Sequence, residues 1–326
     1  MKAEILALLR EKDGYISGQE LCNRFSVSRT AVWKAINQLK ESGYEIEAVP
    51  NKGYRLVGQQ DVLNKNEIES RLHTKWAGRE LYYYESTDST NLQVKRLMEE
   101  GAPEGVLVVG GEQKQGRGRR GRSWQSPPGT NIYMTLGLRP EFQPDLAPMV
   151  TLIDALAVAE AVEQTCGLQT RIKWPNDVVI GGKKICGILT EMSAETGYIH
   201  YVVIGTGINV NIKEFPEEIR ETATSLYLEK GETVLRAPIV AKTMEYFESY
   251  YEKFIQTMDL SLLMEDYNKR LVNKDAAVKV LDPQNEFEGT ARGIDKKGQL
   301  LVERQDGTVE TVYAGEVSVR GVYGYV

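Results

Sequence analysis

The feature that most restricts the fold of this chain is a glycine- and arginine-rich segment, residues 110–124, between two predicted strands. Gly116, Gly118 and Gly121 match the spacing GxGxxG, which in a dinucleotide-binding fold must open a helix whose N-terminus meets the pyrophosphate. Residues 126–129, Ser-Pro-Pro-Gly, exclude a helix there, and a strand is predicted to follow. Because no Gly-Lys-Ser or Gly-Lys-Thr follows, a P-loop is excluded too. The segment argues against a doubly wound nucleotide-binding fold.

The composition of residues 110–124 indicates a loop that handles phosphate. Five glycines and five basic residues occur in these fifteen positions. Glycine lets the backbone approach a ligand closely and its amide can hold an oxyanion, while guanidinium groups offer planar, permanently charged forks. A solvated Arg-Gly tail of the RNA-binding kind is the alternative. The position between two strands favours a cationic loop within a folded section.

The N-terminal section, to about residue 57, is predicted to contain three helices and a hairpin. The first helix ends at Asp13-Gly14, Ser17 and Glu20 form a capping box for the second, and Ser28 caps a third that ends at Gly43. Two short strands, 44–49 and 54–57, then flank a turn at 50–53. Two closely joined helices followed by a hairpin are typical of a winged helix-turn-helix domain.

The rest of the chain shows two further patterns after the polar linker 58–61. In the middle section, strands are predicted at 105–109, 130–138, 171–180, 184–192 and 198–205, with a helix at 144–166. Short connections such as Gly181-Gly182 indicate a mixed or mainly antiparallel sheet. Four evenly spaced strands, at 277–281, 286–294, 299–304 and 309–313, predict a small β-barrel. The fold class is therefore α+β, with domains at 1–60, 61–273 and 274–326.

Composition limits the available chemistry. Only two histidines occur, which excludes a His-rich metal centre, and three cysteines without CxxC spacing favour reduced thiols over a zinc site or a disulfide framework. No apolar run approaches the ~20 residues that span a bilayer, and the N-terminus does not resemble a signal peptide. We therefore expect a cytoplasmic protein without a membrane partner. The net charge is −6, but residues 1–57 contribute +2, a weak hint of an anionic partner for that section. Chemistry must rest on Arg, Lys, Asp, Asn and backbone amides.

Two more clusters carry candidate site residues. Lys173, Asn176 and Asp177 in the run KWPND, with Lys184 nearby, could hold a nucleotide and Mg²⁺, with lysine on phosphate and Asp or Asn toward the metal. The alternative is a Pro-Asn-Asp turn with exposed lysines. The run Ser-Thr-Asp-Ser-Thr-Asn at 86–91 precedes a helix start, so it is either an N-cap or a ring of donors and acceptors for a small polar head group.

In this order, the runs DSTN at 88–91, QKQGRGRRGRSW at 113–124, KWPND at 173–177 and KICGIL at 184–189 resemble those of the biotin–protein ligases. With the helix-turn-helix, the resemblance covers essentially the whole chain and extends to the bifunctional members that repress biotin genes. It implies a class II synthetase-like middle domain and an SH3-like barrel at the end. It also implies that biotin and ATP form biotinyl-5′-AMP, with Mg²⁺, and that a lysine of biotin carboxyl carrier protein or another carboxylase domain accepts the biotin.

The resemblance also implies residue roles. Biotin would be bound by Ser89, Thr90, Asn91, Gln113, Arg117, Gly118, Arg119 and Lys184. ATP or the adenylate would be bound by Arg119, Arg122, Lys173, Asn176, Asn209 and Asn211, the last two in the run GTGINVN at 205–211. Arg119, Lys184 and Lys173 would be catalytic and Asp177 would hold the metal. One departure is that the adenine-covering tryptophan of Escherichia-type enzymes has no counterpart near residues 223–226, where none of the four tryptophans lies.

The third helix of the N-terminal section is expected to read operator DNA in a major groove, because its polar residues lie opposite an apolar stripe. The predicted DNA-binding residues are Ser28, Arg29, Thr30, Trp33, Lys34, Asn37 and, on the wing, Lys52. Arg55, also on the wing, would reach a DNA phosphate or the minor groove. A solvated face that binds nothing is the alternative. A homodimer is expected when the adenylate is bound. Two rival functions remain, a metabolite-sensing transcription factor without turnover and a lipoate-type ligase.

Overall fold

The computed structural model describes residues 1–281, 286–313, 318–321 and 325–326. The N-terminal section contains three helices and a two-stranded antiparallel sheet: α1 (Lys2–Glu11), α2 (Gly18–Phe25), α3 (Arg29–Glu41), β1 (Ile46–Val49) and β2 (Gly53–Leu56). The Ser17 hydroxyl accepts a hydrogen bond from the Glu20 amide and the Ser28 hydroxyl accepts one from the Ala31 amide, at 3.1 and 3.2 Å. Both predicted N-caps and the helix-turn-helix are therefore confirmed.

The middle section is built on a seven-stranded sheet of order β3-β4-β5-β9-β8-β7-β6. Only the β3–β4 pair is parallel, so the prediction of a mixed sheet is confirmed. The strands are β3 (Leu81–Tyr84), β4 (Leu107–Gly110), β5 (Ile132–Leu138), β6 (Arg171–Lys173), β7 (Asp177–Ile180), β8 (Lys183–Glu195) and β9 (Tyr198–Ile208).

One predicted strand was wrong. Residues 171–180 form two antiparallel strands, β6 and β7, with a turn at 174–176 that contains the cis Trp174–Pro175 peptide bond. Proline donates no hydrogen bond to a sheet ladder, which favours a turn over a continuous strand. The turn brings Lys173 and Asp177 opposite each other in the register.

Helices cover both faces of this sheet. On one face lies α5 (Thr90–Glu99); on the other α6 (Ala147–Cys166) packs against α8 (Arg236–Thr257) and against the sheet. Because both neighbours cover α6, apolar residues are buried all around it. The shorter helices are α4 (Lys65–Glu69), α7 (Leu226–Lys230) and α9 (Met264–Arg270). Among the described helices, none is long and apolar enough to cross a bilayer.

The last section is a five-stranded antiparallel sheet of order β13-β12-β11-β10-β14. Its strands are β10 (Ala277–Leu281), β11 (Phe287–Ile294), β12 (Leu300–Glu303), β13 (Val309–Val312) and β14 (Ser318–Gly321). The sequence pattern does not predict β14, which pairs with β10. Within the described residues β13 and β14 are both edge strands, so the sheet is not closed by pairing between them.

Two ionic clusters join the N-terminal section to the middle one. Arg10 of α1 donates to both carboxylate oxygens of Glu67 at 2.9 Å and to Ser70, and Arg71 also donates to Glu67. In the linker, Asp61 accepts hydrogen bonds from the backbone and guanidinium of Arg236 and from the amide of Asn211. These contacts hold the first 60 residues against the sheet-forming part of the chain.

Candidate functional site

The floor of a cleft is formed by glycines on β8 and β9. A Cβ at Gly207 would lie 2.6 Å from the ring of Trp124, and one at Gly187 would lie 2.8 Å from Lys184 Nζ. At Gly205 a Cβ would overlap the side-chain oxygen of Asn91. Because these three positions carry no side chain, an indole and the start of α5 can lie directly on the strands.

The start of α5 is joined to the base of the Arg-Gly loop by hydrogen bonds. Gln113 Oε1 accepts from the backbone amide of Thr90 at 2.9 Å and from its hydroxyl at 3.0 Å, while Gln113 Nε2 donates to Ser126. Thr135 of β5 donates to Thr90 and Asn91, and Asn91 Nδ2 donates to Glu191 at 2.8 Å. The buried Ser89 is the N-cap residue of α5, yet its side chain makes no capping bond.

The Arg-Gly loop folds into a small hairpin over the floor. The Trp124 amide donates to the Gly116 carbonyl at 2.9 Å, and the Gly118 amide donates to the Arg122 carbonyl at 2.7 Å. A single 3₁₀ turn, Arg119–Gly121, forms the tip, with Arg120 in the left-handed region at φ 57°. The loop is therefore shaped by its own backbone bonds, and it holds Trp124 over Gly207.

Two chambers lie under this hairpin and share a wall. The inner chamber is bounded by Ser89, Thr90, Asn91, Gln113, Arg117 and the glycine floor. The outer chamber is bounded by Arg120, Arg122, Lys173, Asp177, Asn209, Arg320 and Tyr325. Gly118, Arg119, Trp124, Asn176 and Lys184 line both. Among the described residues, the buried Trp124 Nε1 finds no acceptor, which leaves a donor for a ligand at this junction.

The outer chamber has a strong excess of positive charge. Six cationic side chains line it, and Asp177 is the only carboxylate among its described lining residues. Asp177 Oδ1 lies 2.6 Å from Lys184 Nζ, and its Oδ2 accepts from the Tyr325 hydroxyl at 2.5 Å. Arg119 donates to Asn176 Oδ1 at 2.7 Å. An anionic ligand of several charges fits this surface.

Burial lowers the pKa values of two of these cations. The pKa of Lys173 falls to about 8, because desolvation outweighs the attraction of Asp177. The pKa of the Arg119 guanidinium is lowered by burial as well, with Asp177 acting in the opposite direction. Desolvated cations of this kind interact strongly with an anion that enters the chamber.

The structure brings together the sequence-predicted ligand residues, with one exception. Asn211 does not line either chamber: its side chain bonds Asp61 and both backbone groups of Val234. Asn209 lines the outer chamber, but its Nδ2 donates to the Thr224 carbonyl. The KWPND run is a turn, as one interpretation had it, yet Lys173 in it is 5% exposed and not solvated.

Several lining residues were missed by the sequence analysis. Arg320 and Tyr325 reach the outer chamber from the C-terminal section, and Asn131, the residue just before β5, also lines it. No local pattern marks them, because the fold alone brings them to the chamber. An apolar wall formed by Ile212, Phe215 and Ile219 faces the same chamber, and these residues precede positions 223–226, where the adenine-covering tryptophan has no counterpart.

The metal prediction finds little support in the donor set. Among the described residues no group of three His, Cys, Asp or Glu side chains could hold an ion. Asp177, the predicted ligand, accepts a hydrogen bond from Tyr325 on Oδ2, and its buried Oδ1 lies at ion-pair distance from Lys184 Nζ without a hydrogen bond from the described residues. The residues present do not fit a metal held directly by the protein.

The predicted DNA-reading face of α3 is open. Arg29, Thr30, Trp33 and Lys34 are exposed, with Trp33 56% exposed, whereas Asn37 is half-buried. Arg29 donates to Gln19 of α2, and the Ser28 hydroxyl serves as the helix cap. On the wing, Lys52 and Arg55 lie over the ring of Tyr15 at 5.8 and 5.1 Å.

Comparisons with known proteins follow the same three sections. An HTH domain model matches residues 2–55, the biotin/lipoate A/B protein ligase family model matches 83–209, and the biotin protein ligase C-terminal domain model matches 276–320. Together with the cleft, these matches define a protein ligase of the biotin/lipoate class that carries a helix-turn-helix domain.

Individual relatives narrow the class. The bifunctional ligase/repressor BirA of Bacillus spizizenii is 40% identical over 309 residues, 94% of each chain, and that of Escherichia coli is 32% identical over 319 residues, 97% of this chain and 96% of its own. The Aquifex aeolicus biotin protein ligase in complex with biotin and ATP superposes with a TM-score of 0.67 at 31% identity, covering 74% of this chain and 99% of that one. The chain belongs to the family of bifunctional ligase/repressor BirA proteins.

Proposed function

We propose that this chain binds biotin in the inner chamber and ATP in the outer one, and joins them at the shared wall. The chain is a biotin ligase and a helix-turn-helix repressor, with biotin and ATP as substrates. The observation that carries the placement is the pair of chambers of different character that meet at Arg119, Asn176 and Lys184.

The inner chamber suits the neutral head of biotin. Ser89, Thr90, Asn91 and Gln113 present hydroxyl and amide groups, and Trp124, seated on the glycine floor, adds an aromatic surface to the same chamber. The valerate carboxylate would then extend toward the shared wall. Arg117, Gly118 and Arg119 of the hairpin would cover it, excluding water from the product anhydride.

The mechanism requires charge neutralisation and alignment, with no protein nucleophile. A carboxylate that approaches the α-phosphate of ATP is repelled by like charge, and the cations at the wall reduce this repulsion. Arg119 and Lys184 lie where charge develops on the α-phosphate, while Lys173 and Arg122, with Asn176, would bind the leaving pyrophosphate. A carrier lysine then attacks the acyl carbon and releases AMP.

The adenine ring would pack on the apolar wall, with Phe215 in the place of the absent tryptophan. Ile212 and Ile219 complete this wall, and Asn209 lies on the same side. Mg²⁺ enters only as the ion carried by the ATP phosphates. Because the described residues hold no group of three metal-ligating side chains, no step is routed through the metal.

At the level of domains, we propose boundaries at 1–60, 61–273 and 274–326, a class II synthetase-like middle domain and an SH3-like end domain. The matched ranges 2–55, 83–209 and 276–320 fall within these limits and support them. The three buried free cysteines fit a cytoplasmic location.

The helix-turn-helix domain, residues 1–60, is called the head from here on. It would read operator DNA through Arg29, Thr30, Trp33, Lys34 and Asn37, with Ser28 at the helix start and Lys52 and Arg55 on the wing. All of these residues except the half-buried Asn37 are exposed, which supports this proposal. We propose that the adenylate promotes a homodimer, and that biotin carboxyl carrier protein and related carboxylase domains accept the biotin.

ATP–pyrophosphate exchange, measured separately with biotin, lipoate and octanoate, tests the ligase placement. Of the three acids, only biotin should support exchange. Arg119→Ala and Lys184→Ala should each reduce the exchange rate by a factor of roughly 10²–10³, the usual effect of removing a preorganised donor. Lys75→Ala, a 79% exposed side chain far from the cleft, is the matched control. Exchange with lipoate, or none with any acid, would instead support a lipoate-type ligase or a sensor without turnover.

A further inference from the structure

Tyr325 makes two contacts inside the outer chamber that the proposed mechanism does not use. The centroid of its ring lies 3.5 Å from Lys173 Nζ, so the ammonium sits on the ring face. Its hydroxyl donates to Asp177 Oδ2 at 2.5 Å, across 148 positions of sequence. The tyrosine thereby connects the end of the described chain to the hairpin turn between β6 and β7.

The two lysines of the chamber differ in their partners. Lys184 forms an ion pair with Asp177 Oδ1 at 2.6 Å. Lys173 is 5% exposed, and within the described ranges no carboxylate lies at ion-pair distance from it. A buried ammonium is costly unless it is compensated. A ring face attracts a cation without neutralising its charge, and so compensates part of that cost.

Asp177 is the anion that could neutralise Lys173, since the two residues are opposite each other in the β6–β7 register. In the structure its two oxygens are directed to Lys184 and Tyr325 instead. The tyrosine hydroxyl therefore occupies the oxygen that Lys173 would otherwise compete for.

We infer that Tyr325 is a positioning residue that holds Lys173 available to the ATP phosphates, by bonding Asp177 and covering the ammonium with its ring. This inference rests on the proposed placement of ATP in the outer chamber. It assigns to Tyr325 an effect on ATP and none on biotin, because the inner chamber is bounded by other residues.

Steady-state ATP–pyrophosphate exchange of the full chain tests the assignment, with KM for ATP and KM for biotin determined separately. Tyr325→Leu should raise KM for ATP about tenfold, as expected for loss of a desolvated cation–π contact, with KM for biotin unchanged. Tyr325→Phe keeps the ring and loses only the hydrogen bond to Asp177, so its KM for ATP should lie between that of the wild type and that of Tyr325→Leu. Tyr313→Leu, at a 65% exposed tyrosine outside both chambers, is the control and should match the wild type.

A double-mutant cycle decides whether the tyrosine acts through the lysine. Tyr325→Leu should have no further effect on KM for ATP when Lys173→Gln is already present. A decrease in KM for ATP in Tyr325→Leu would show that the ring blocks the nucleotide, and equal increases for ATP and biotin would show a purely structural role; either overturns the inference. If Tyr325→Leu does not fold, the same cycle with Tyr325→Phe decides the matter.

Failure of the inference and failure of the proposed function give different results. If Lys173→Gln raises KM for ATP but neither Tyr325 variant does, the inference alone is overturned. If Lys173→Gln itself leaves KM for ATP unchanged, the phosphates do not lie in the outer chamber and both are overturned.

Discussion

Two lysines that look equivalent in the sequence have different environments in the cleft. Lys184, at the start of β8, is neutralised by Asp177 and lies 5.4 Å from the ring centroid of Trp124. Lys173, at the end of β6, is buried and rests on a tyrosine ring. Lys184 must break its ion pair with Asp177 before it can bind a carboxylate or phosphate, whereas Lys173 can bind an anion without breaking one. Burial and the neighbouring side chain, more than residue type, therefore distinguish the two lysines.

The lowered pKa of Lys173, about 8, predicts a pH dependence of ATP binding. The ammonium is present below that pH and is lost as pH rises through it, so KM for ATP should increase above about pH 8. Lys173→Arg keeps its charge to much higher pH and should show a flatter profile. Exchange assays from pH 6.5 to 9.5 measure this, and parallel profiles for the two proteins would remove Lys173 from ATP binding.

Asp154 predicts a pH dependence of stability. This carboxyl lies on α6, fully buried, and accepts a hydrogen bond from Thr206 at 2.7 Å; burial raises its pKa to about 7. Because its pKa is higher in the folded than in the unfolded chain, stability should fall as pH rises from about 4 to about 7. Asp154→Asn keeps the acceptor and removes the charge, so it should raise the melting temperature more at pH 8 than at pH 5. An equal shift at both pH values would contradict this.

At the scale of elements, the glycines of β8 and β9 decide how close α5 and the Arg-Gly hairpin come to the sheet. Local propensity alone disfavours glycine in strand interiors, so their presence indicates a close approach of another group. The structure identifies those groups as Asn91 and Trp124. The glycine-rich run 205–211 was noticed in the sequence, but what packs on it could not be read from that run.

Gly205→Ala tests this packing. The added methyl overlaps Asn91 Oδ1, so α5 must shift or Asn91 must give up its bonds to Thr135 and Glu191. We expect a loss of about 1–3 kcal/mol in unfolding free energy, as for other overpacked sites, together with a raised KM for biotin. Denaturant unfolding and exchange kinetics measure both. Gly18→Ala, where the nearest atom would be 3.7 Å away, is the control.

The turn between β6 and β7 shows where element prediction failed. The apolar pattern of residues 171–180 was interpreted as one strand, because alternation does not distinguish a strand from a tight hairpin of two. The missed strand β14 has the same cause: a four-residue strand is recognised only by its partner, here β10. In both cases pairing, a long-range property, decides the boundary.

At the scale of the whole molecule, the head and the cleft are connected by ionic contacts that are partly or fully shielded from solvent. Glu67 is 4% exposed and receives both Arg10 and Arg71, while Asp61 of the linker ties Arg236 to Asn211, just beyond the strand that forms the floor. The linker is therefore held by hydrogen bonds to Asn211, which follows β9, and to Arg236, which opens α8.

Arg10→Met should loosen the head without changing the chemistry. It leaves Glu67 with Arg71 as its one remaining cation, so the loss of stability should be smaller than the ~3 kcal/mol that follows when a buried charge loses its sole partner. Limited proteolysis of the linker 58–61 should become faster, while biotin-dependent exchange stays at the wild-type rate. Arg55→Met removes an exposed wing pair instead and should change neither, since such pairs contribute little. Protection of the linker in Arg10→Met equal to that of the wild type would show that this cluster does not hold the head.

The sequence by itself determined what depends on neighbouring residues: the helix caps at Ser17 and Ser28, the strand-flanked basic loop, the three-part organisation and, through contiguous runs, most residues of the cleft. The tertiary structure alone decided what depends on distant ones. It removed Asn211 from the cleft, added Arg320 and Tyr325, and gave Lys173 and Lys184 different environments. The physical reason is that capping and turn formation act over a few positions, whereas burial and charge pairing join side chains that the chain holds more than a hundred positions apart.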